Sequence, residues 1–252
     1  MSEINPWYWN KSNLFDNVSP EARQAFLQRC ERRDFRRGEH LFRAHDLANR
    51  VYFLESGLVK IYHLSPRGAL TIFWFCAPGD LFGAGGIVGS AEQSVYAQSV
   101  DRAVVFTIAR PAFEEVLQAH PAIALNVIKL LGARLRLACD AMSDRATEKV
   151  ETRLARLLLR LAQNWGDATS AGVRFRVQIS HQELANMIGA SRQTINRVLQ
   201  SYIRAKWLGQ DGRTLILRDP AAFSELLIKL EQDERSVSVR GASSQAVANS
   251  TP

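Results

Sequence analysis

Long hydrophobic runs are missing from this 252-residue chain, which contains no stretch of 18 apolar residues. No segment is therefore predicted to span a bilayer. The first ten residues, MSEINPWYWN, also lack the basic start and apolar core of a signal peptide. We expect a cytoplasmic protein with no membrane partner.

Cysteine is scarce as well. Cys30, Cys76 and Cys139 stand 46 and 63 residues apart, which matches neither a zinc module nor a disulfide framework. The five histidines show no metal-ligand spacing, and neither a nucleophile–base pattern nor a phosphate-cradling loop with its lysine is present. We expect free thiols, no metal site and no enzymatic activity.

The net charge of +7 is concentrated in one part of the chain. Residues 146–218 hold 12 Lys or Arg against 5 Asp or Glu, so this stretch carries the whole excess and the remainder is balanced. Confined positive charge is typical of a unit that binds a polyanion, because phosphate neutralisation releases condensed counterions. A merely solvated basic face is the alternative.

Short β-type runs separated by glycine and proline fill the region from Arg36 to Arg110. The clearest runs cover 50–55, 58–64, 69–77, 95–100 and 103–108. This pattern predicts a jelly-roll-like antiparallel β-barrel or sandwich. Because helical patterns surround it, the predicted fold class is α+β.

A long helix is predicted from Pro121. Its apolar residues recur every three or four positions: Ile128, Leu131, Leu135, Ala138 and Met142. This heptad pattern favours pairing with a second copy of the chain, and the flanking charges leave only a narrow ridge. A stripe buried within its own domain is the alternative, because the pattern spans only three heptads.

The basic stretch begins with a predicted helix at 150–165 and a loop at 166–172. A strand follows at 173–179, with Arg174 and Arg176 on its solvent side. Two short helices come next, because Ser180 and Glu183 form a capping box, Gly189 permits a sharp turn and Ser191 can cap the second helix. Two helices joined in this way predict a helix-turn-helix, which places its second helix in the DNA major groove.

The second of these helices carries side chains that suit base reading, namely Arg192, Gln193, Asn196 and Arg197. Arginine pairs with guanine, and an amide pairs with adenine. Three hydroxyl residues at the helix starts are candidates for phosphate contacts: Ser180, Ser191 and Thr194. The alternative is a capped helical hairpin with an ordinary polar face.

A β-hairpin is predicted at 207–217, turning at Asp211-Gly212. Following a helix-turn-helix, it would form a wing whose Arg213 touches the DNA backbone. A hairpin that only closes the small domain is equally consistent with the pattern.

From about Phe35 to Leu227 the chain resembles the CRP/FNR family of bacterial transcription regulators. The N-terminal matches are Gly38-Glu-His-Leu-Phe, Val51-Tyr-Phe-Leu-Glu-Ser-Gly57, Pro78-Gly-Asp-Leu-Phe-Gly83 and Arg110-Pro-Ala-Phe113. The C-terminal matches, Ser180-His-Gln-Glu-Leu-Ala and Ile188-Gly-Ala-Ser-Arg-Gln-Thr-Ile-Asn-Arg197, are more specific. The resemblance implies a homodimer on palindromic promoter DNA, with RNA polymerase as a further partner.

The resemblance also implies a division into domains. Residues 1–34 are expected to form a helical lead-in, and 35–120 a cyclic-nucleotide-binding-like β-barrel sensor. The dimerisation helix is expected at 121–146, the winged helix-turn-helix at 147–230 and a disordered tail at 231–252.

Within the resemblance, Arg192, Gln193 and Arg197 match the family's three principal base-reading positions. Gln193 stands where the family commonly has Glu. A carboxylate accepts a hydrogen bond from cytosine N4, whereas an amide both accepts and donates, so the preferred base at this position is left open.

The sensor half departs further from members that bind cyclic AMP. The residues at the family's ligand-binding positions are Gly83, Ala84, Gly85, Gly86, Gln93, Ser94, Ala138 and Cys139. They include neither the ribose-binding Glu nor the phosphate-binding Arg, and both helix positions lack the usual hydroxyl. A phosphate without its bidentate Arg loses its main charge-assisted contact, so ordinary cyclic AMP is not expected. Another small effector, with other nucleotides among the candidates, and no ligand at all both stay open.

Other sensor chemistries would need residues of their own. Three scattered cysteines do not support the four-thiolate cage of iron–sulfur members. Haem stays open, with His63, Cys76, His45 or Met142 as ligands, although packing explains such residues more simply. Cys139 on the helix seam could be oxidised across the interface or be a structural thiol.

The sequence therefore favours a homodimeric DNA-binding transcription regulator. Two other classes remain as alternatives. A ligand-binding sensor that acts through protein partners would bind an effector but show no salt-dependent DNA binding, whereas an enzyme would turn over a nucleotide.

Overall fold

The computed structural model describes residues 13–84, 91–147, 149–176, 178–212 and 214–228. The chain divides into two compact units, the first ending at Met142 and the second beginning at Ser143. In the described ranges, no helix is long and apolar enough to cross a membrane.

The described part of the first unit contains eight strands, with helices before and after them. Helix α1 covers Pro20–Gln28. The strands are β1 (Glu31–Phe35), β2 (His40–Phe42), β3 (Arg50–Ser56), β4 (Val59–Leu64), β5 (Leu70–Cys76), β6 (Leu81–Phe82), β7 (Tyr96–Ser99) and β8 (Ala103–Ala109). Helix α2 covers Arg110–Ala119, and α3 runs over Pro121–Thr147, beginning where the sequence predicts.

The strands form two four-stranded sheets, ordered β1-β8-β3-β6 and β2-β7-β4-β5. Every pairing within them is antiparallel, as predicted. The predicted closed barrel is not seen in the described part of the chain, because the ladders end at β1 and β6 in one sheet and at β2 and β5 in the other. Apolar residues from both sheets form one core cluster, including Phe42, Tyr52, Ile61, Cys76 and Phe82.

Strand β1 was not expected, because its sequence ERRDF is almost entirely charged. Four of its five residues are exposed, and only Phe35 is buried. Its pairing with β8 depends on backbone groups, from Glu31 opposite Thr107 to Phe35 opposite Ala103. Strand structure therefore begins within the segment predicted as a helical lead-in.

A second apolar cluster joins the helices of the first unit to β3 and β8. It includes Phe26 of α1, Phe53 of β3, Ile108 of β8, Phe113 of α2 and Ile123 of α3. The edge-to-face rings of Phe26 and Phe113 lie 6.3 Å apart. This cluster anchors the start of α3 on the first sheet.

The described part of the second unit contains helices α4 (Val150–Trp165), α5 (His181–Ile188) and α6 (Arg192–Arg204) and one antiparallel sheet. The helices pack with strands β9 (Gly166–Thr169), β10 (Gly172–Phe175), β11 (Leu208–Asp211) and β12 (Thr214–Leu217). The sheet order is β11-β12-β10-β9. The chain is helical again at 220–228, and the tail predicted at 231–252 lies outside the described residues.

One element of the second unit differs from its prediction. The stretch 166–172 was expected to be a loop, but Gly166–Thr169 forms β9 and pairs with β10. The pairing needs a sharp reversal, which Gly172 allows with a φ of 119°. Backbone hydrogen bonds thus override the turn-like composition of this segment.

Candidate functional site

The helix-turn-helix is defined by local capping chemistry. Ser180 Oγ accepts a hydrogen bond from the Glu183 backbone N–H at 3.2 Å, and a Glu183 carboxylate oxygen accepts one from the Ser180 N–H at 3.0 Å. This is the predicted capping box, and it starts α5. Gly189 ends α5 in the left-handed conformation with φ 67°. Ser191 then caps α6 by accepting from Thr194 N–H at 3.0 Å.

Packing fixes which face of α6 is free. Ile195, Val198, Leu199 and Tyr202 are buried on its inward side. The Tyr202 hydroxyl donates to the Glu151 carbonyl at 2.7 Å, and burial raises the pKa of Tyr202. Its ring also contacts Trp207 and Phe223. The inward face is therefore held to α4 and to the C-terminal part of the unit.

The opposite face of α6 carries all four residues predicted to read bases. Arg192, Gln193, Asn196 and Arg197 are exposed. Among the described residues none of the four has a hydrogen-bond or ion-pair partner, so their polar groups are available to a ligand. Gln200 is also exposed on this helix, and sequence reasoning missed it because it lies a turn beyond the matched motif.

The hydroxyl groups predicted to hold phosphates are already part of the caps. Ser180 Oγ donates to Glu183 Oε2 at 2.9 Å, and Ser191 Oγ shares a 2.8 Å hydrogen bond with Thr194 Oγ1. A phosphate at these helix starts would therefore be bound mainly by free backbone N–H groups of the first turns.

The predicted hairpin after α6 is present as β11 and β12, with Gly212 at φ 58° in the turn. Arg213, predicted to touch the DNA backbone, lies outside the described residues. Arg174 Nη1 is 3.0 Å from Asp211 Oδ2, and Arg176 Nη2 is 2.6 Å from Asp167 Oδ1. Both arginines are exposed as predicted, but their charges are paired within the unit.

The positions predicted to bind an effector are only partly assembled. Gln93 is buried and its amide donates to the Gly83 carbonyl at 3.4 Å. Ala84 is half-buried, whereas Ser94, Ala138 and Cys139 are exposed. Gly85 and Gly86 lie outside the described residues.

Arg134 of α3 was missed as a site residue. Its Nη1 donates to the Leu81 carbonyl at 2.6 Å, and its Nη2 lies 3.8 Å from Asp80 Oδ1. Its guanidinium carbon lies 5.2 Å from the centre of the Trp74 ring. The spacing 123, 127, 130, 134 could have revealed it, because the first three positions hold the buried Ile123, Val127 and Leu130.

The outward face of α3 is apolar and exposed in the single chain. We call its large side chains the α3 ridge: Leu125, Ile128, Leu131, Leu135 and Met142, which are 47–73% exposed. Four residues of the α3 ridge were predicted from the heptad pattern: Ile128, Leu131, Leu135 and Met142. The smaller Ala138, also predicted, is exposed beside them. Leu125 extends the ridge towards the start of the helix.

The four candidate haem ligands lie in different environments. Cys76 is fully buried, and burial raises the pKa of its thiol to about 12. The His63 ring stacks on Phe73, His45 Nδ1 lies 3.0 Å from Glu92 Oε2, and Met142 belongs to the α3 ridge. Within the described ranges, no group of three His, Cys, Asp or Glu side chains is arranged to hold a metal ion.

Comparisons with known proteins cover both units. The family model of the cyclic nucleotide-binding domain matches residues 32–120, and that of the Crp-like helix-turn-helix domain matches residues 152–226. The chain is 27% identical to a CRP-like cAMP-activated global transcriptional regulator of Mycobacterium tuberculosis over 83% of this chain and 93% of that protein. It is 28% identical to the cyclic AMP receptor protein of Thermus thermophilus, over 87% of this chain and 98% of that protein.

A solved structure shows the same architecture. The crystal structure of a CRP-family transcriptional regulator from Thermus thermophilus is 27% identical, with a TM-score of 0.66, and covers 77% of this chain and 96% of that chain. The two family models match the two units in turn, the sheets of the first unit and then the capped helices of the second. This chain belongs to the CRP/FNR family of transcription regulators.

Proposed function

We propose that this chain is a sequence-specific DNA-binding transcription regulator that acts as a homodimer on a palindromic promoter site. The observation that carries the proposal is the free polar face of α6. Arg192, Gln193, Asn196 and Arg197 are exposed together on a helix whose other face is buried. Arginine and amide side chains at the start of such a helix suit the edges of guanine and adenine in the major groove.

The α3 ridge supports the dimer. Its large apolar side chains recur along one face of a 27-residue helix and are exposed in the single chain. Pairing two such faces would remove this apolar surface from water, as in a coiled coil. A two-fold dimer presents two copies of α6, so the operator should contain inverted half-sites about 34 Å apart.

The proposed effector of the first unit is a small molecule other than ordinary cyclic AMP, although two relatives are named for cyclic AMP. Ala84 and Ser94 provide neither a carboxylate nor a guanidinium for a cyclic nucleotide. The Gln93 amide is already bonded to the Gly83 carbonyl. We further propose a cytoplasmic location, RNA polymerase as a partner on the promoter, and transcription regulation in place of catalysis.

Selection of DNA sites from a random duplex library tests this function. The full chain should enrich a two-fold symmetric motif, and Arg197→Ala should weaken the base preference at one position of each half-site. Arg67, which is exposed on the first unit, provides a charge-matched control, and Arg67→Ala should enrich the parental motif. Enrichment of no motif would contradict the proposal and favour a sensor that acts through protein partners.

A further inference from the structure

Arg134 lies on the side of α3 that faces the first unit. Its side chain is only 14% exposed. It donates to the Leu81 carbonyl, approaches the Asp80 carboxylate and stacks against Trp74. A guanidinium held by a carbonyl, a carboxylate and an indole has a defined position, because each partner constrains a different direction.

Arg134 lies at the end of the face of α3 that packs on the sheets. Ile123, Val127 and Leu130 are buried on the inward face of α3, and Arg134 lies one turn further along the same face. Its neighbour Leu135 belongs to the α3 ridge on the outward face. The same turn of α3 is thus attached to the first unit on one side and exposes the proposed dimer surface on the other.

Asp80 depends on this cation. Its Oδ2 accepts a hydrogen bond from the Ala77 backbone N–H at 2.8 Å, and its side chain is 26% exposed. Burial raises the pKa of Asp80, and the Arg134 charge opposes that rise. Among the described residues, the buried Cys76 thiol is a further titratable group beside the pair, with Arg134 Nη2 3.8 Å from its sulfur. Removal of the arginine would leave a largely buried carboxylate without its cation.

We propose that Arg134 is a positioning residue that fixes the orientation of α3 against the first unit and thereby sets the DNA affinity of the dimer without an effector. The proposal rests on the proposed function, because it requires that the α3 ridge forms the dimer interface and that the dimer binds DNA with two copies of α6. Strand β6 connects the same contact to Gly83 and Ala84, so a ligand bound there would act on a helix that Arg134 already holds.

The Asp80 pair predicts a pH dependence that a purely steric role would not produce. A carboxyl group whose pKa is higher in the folded state than in the unfolded state lowers the free energy of unfolding at neutral pH. This destabilisation disappears when the pH falls and the carboxyl group is protonated. Arg134→Gln should raise the pKa of Asp80 further. The difference in melting temperature between Arg134→Gln and the parent should therefore shrink between pH 8 and pH 5, and Asp80→Asn combined with Arg134→Gln should abolish that pH dependence.

Hydrogen exchange and operator binding test the positioning itself. Lys129 is exposed on the same helix and has no partner among the described residues, so Lys129→Gln is the charge-matched control. Without any effector, Arg134→Gln should speed amide exchange in the second half of α3 and weaken operator affinity by about tenfold or more. Arg134→Lys should recover part of both losses, since it restores the charge but not the forked geometry. Lys129→Gln should change neither property.

Three outcomes separate the proposal from the function on which it rests. Unchanged exchange in Arg134→Gln would show that Arg134 does not hold α3. Faster exchange with operator affinity within about twofold of the parent would overturn its role in setting affinity. A parent protein with no operator preference would overturn the proposed function, and the exchange data would still decide whether Arg134 holds the helix.

Discussion

The exposed arginines of the second unit are expected to differ in what they contribute to DNA binding. Arg192 and Arg197 are exposed and have no ion-pair partner among the described residues, which suits the bidentate contact that arginine makes with guanine. Arg174 and Arg176 are also exposed, but each is paired with a carboxylate. Exposure alone therefore does not identify the residues that bind DNA, and the pairing within the unit is the more informative observation.

Arg197→Ala should relax discrimination at one base pair by about 1–3 kcal/mol, because a bidentate contact to one base is lost. Affinities for operator variants at that position measure the effect. Arg213→Ala is the companion variant, and its proposed backbone contact predicts weaker binding by a similar factor on every sequence. A base-selective effect of Arg213→Ala would contradict that assignment.

Gly83 should tolerate no side chain. A Cβ there would lie 2.5 Å from Tyr52 Cδ2, and the φ of 75° already disfavours L residues. Gly38 is a matched control, because its φ is 85° but nothing lies within 4 Å of a Cβ. Gly83→Ala should thus lower the free energy of unfolding by about 1–3 kcal/mol more than Gly38→Ala does, as measured by denaturant titration. Equal losses would show that backbone strain alone matters at this position.

Helices and strands differ in how well the sequence predicts them. The starts of α5 and α6 could be predicted, because Ser180, Glu183 and Ser191 form capping hydrogen bonds with residues only three positions away. Strand β1 could not, because it pairs with backbone groups that are distant in sequence and is almost entirely charged. Strand β9 pairs with the neighbouring β10, but its residues GDAT carry no apolar pattern. Arg134 was missed for a related reason, since its partners at 80 and 81 are more than 50 residues distant in sequence.

The α3 ridge predicts that a charge at its centre prevents dimerisation. Leu135→Asp should lower the free energy of dimer dissociation by about 2 kcal/mol or more and so favour monomers, because a carboxylate would be buried between two helices. Sedimentation velocity measures the shift. Leu47 is 70% exposed outside this helix, so Leu47→Asp should leave the dimer intact. A dimeric Leu135→Asp would place the interface elsewhere.

For the molecule as a whole, net charge sets the salt dependence of DNA binding. The excess of +7 falls within residues 146–218, which include all of α4, α5 and α6. Arg174 and Arg176, predicted on the solvent side of a strand in this stretch, carry part of this excess and could contribute a share of the phosphate contacts. Their ion pairs with Asp211 and Asp167 reduce that share, because a paired cation neutralises fewer phosphates.

Arg176→Ala should therefore change the slope of log affinity against log salt by clearly less than the value of about 1 expected for a lost phosphate contact. Titrations on one operator between low and moderate salt measure the slope. A decrease of about 1 would show that Arg176 leaves Asp167 and binds a phosphate in the complex.

The central claim is sequence-specific DNA binding through α6, and the affinity ratio between operator and scrambled duplex tests it most directly. The purified full chain should be titrated with both duplexes at about 0.15 M salt, where exposed charges are largely screened beyond a Debye length. The account predicts operator binding tighter by about 10³-fold or more, and a smaller ratio for Arg192→Ala. Equal affinity for the two duplexes would contradict it.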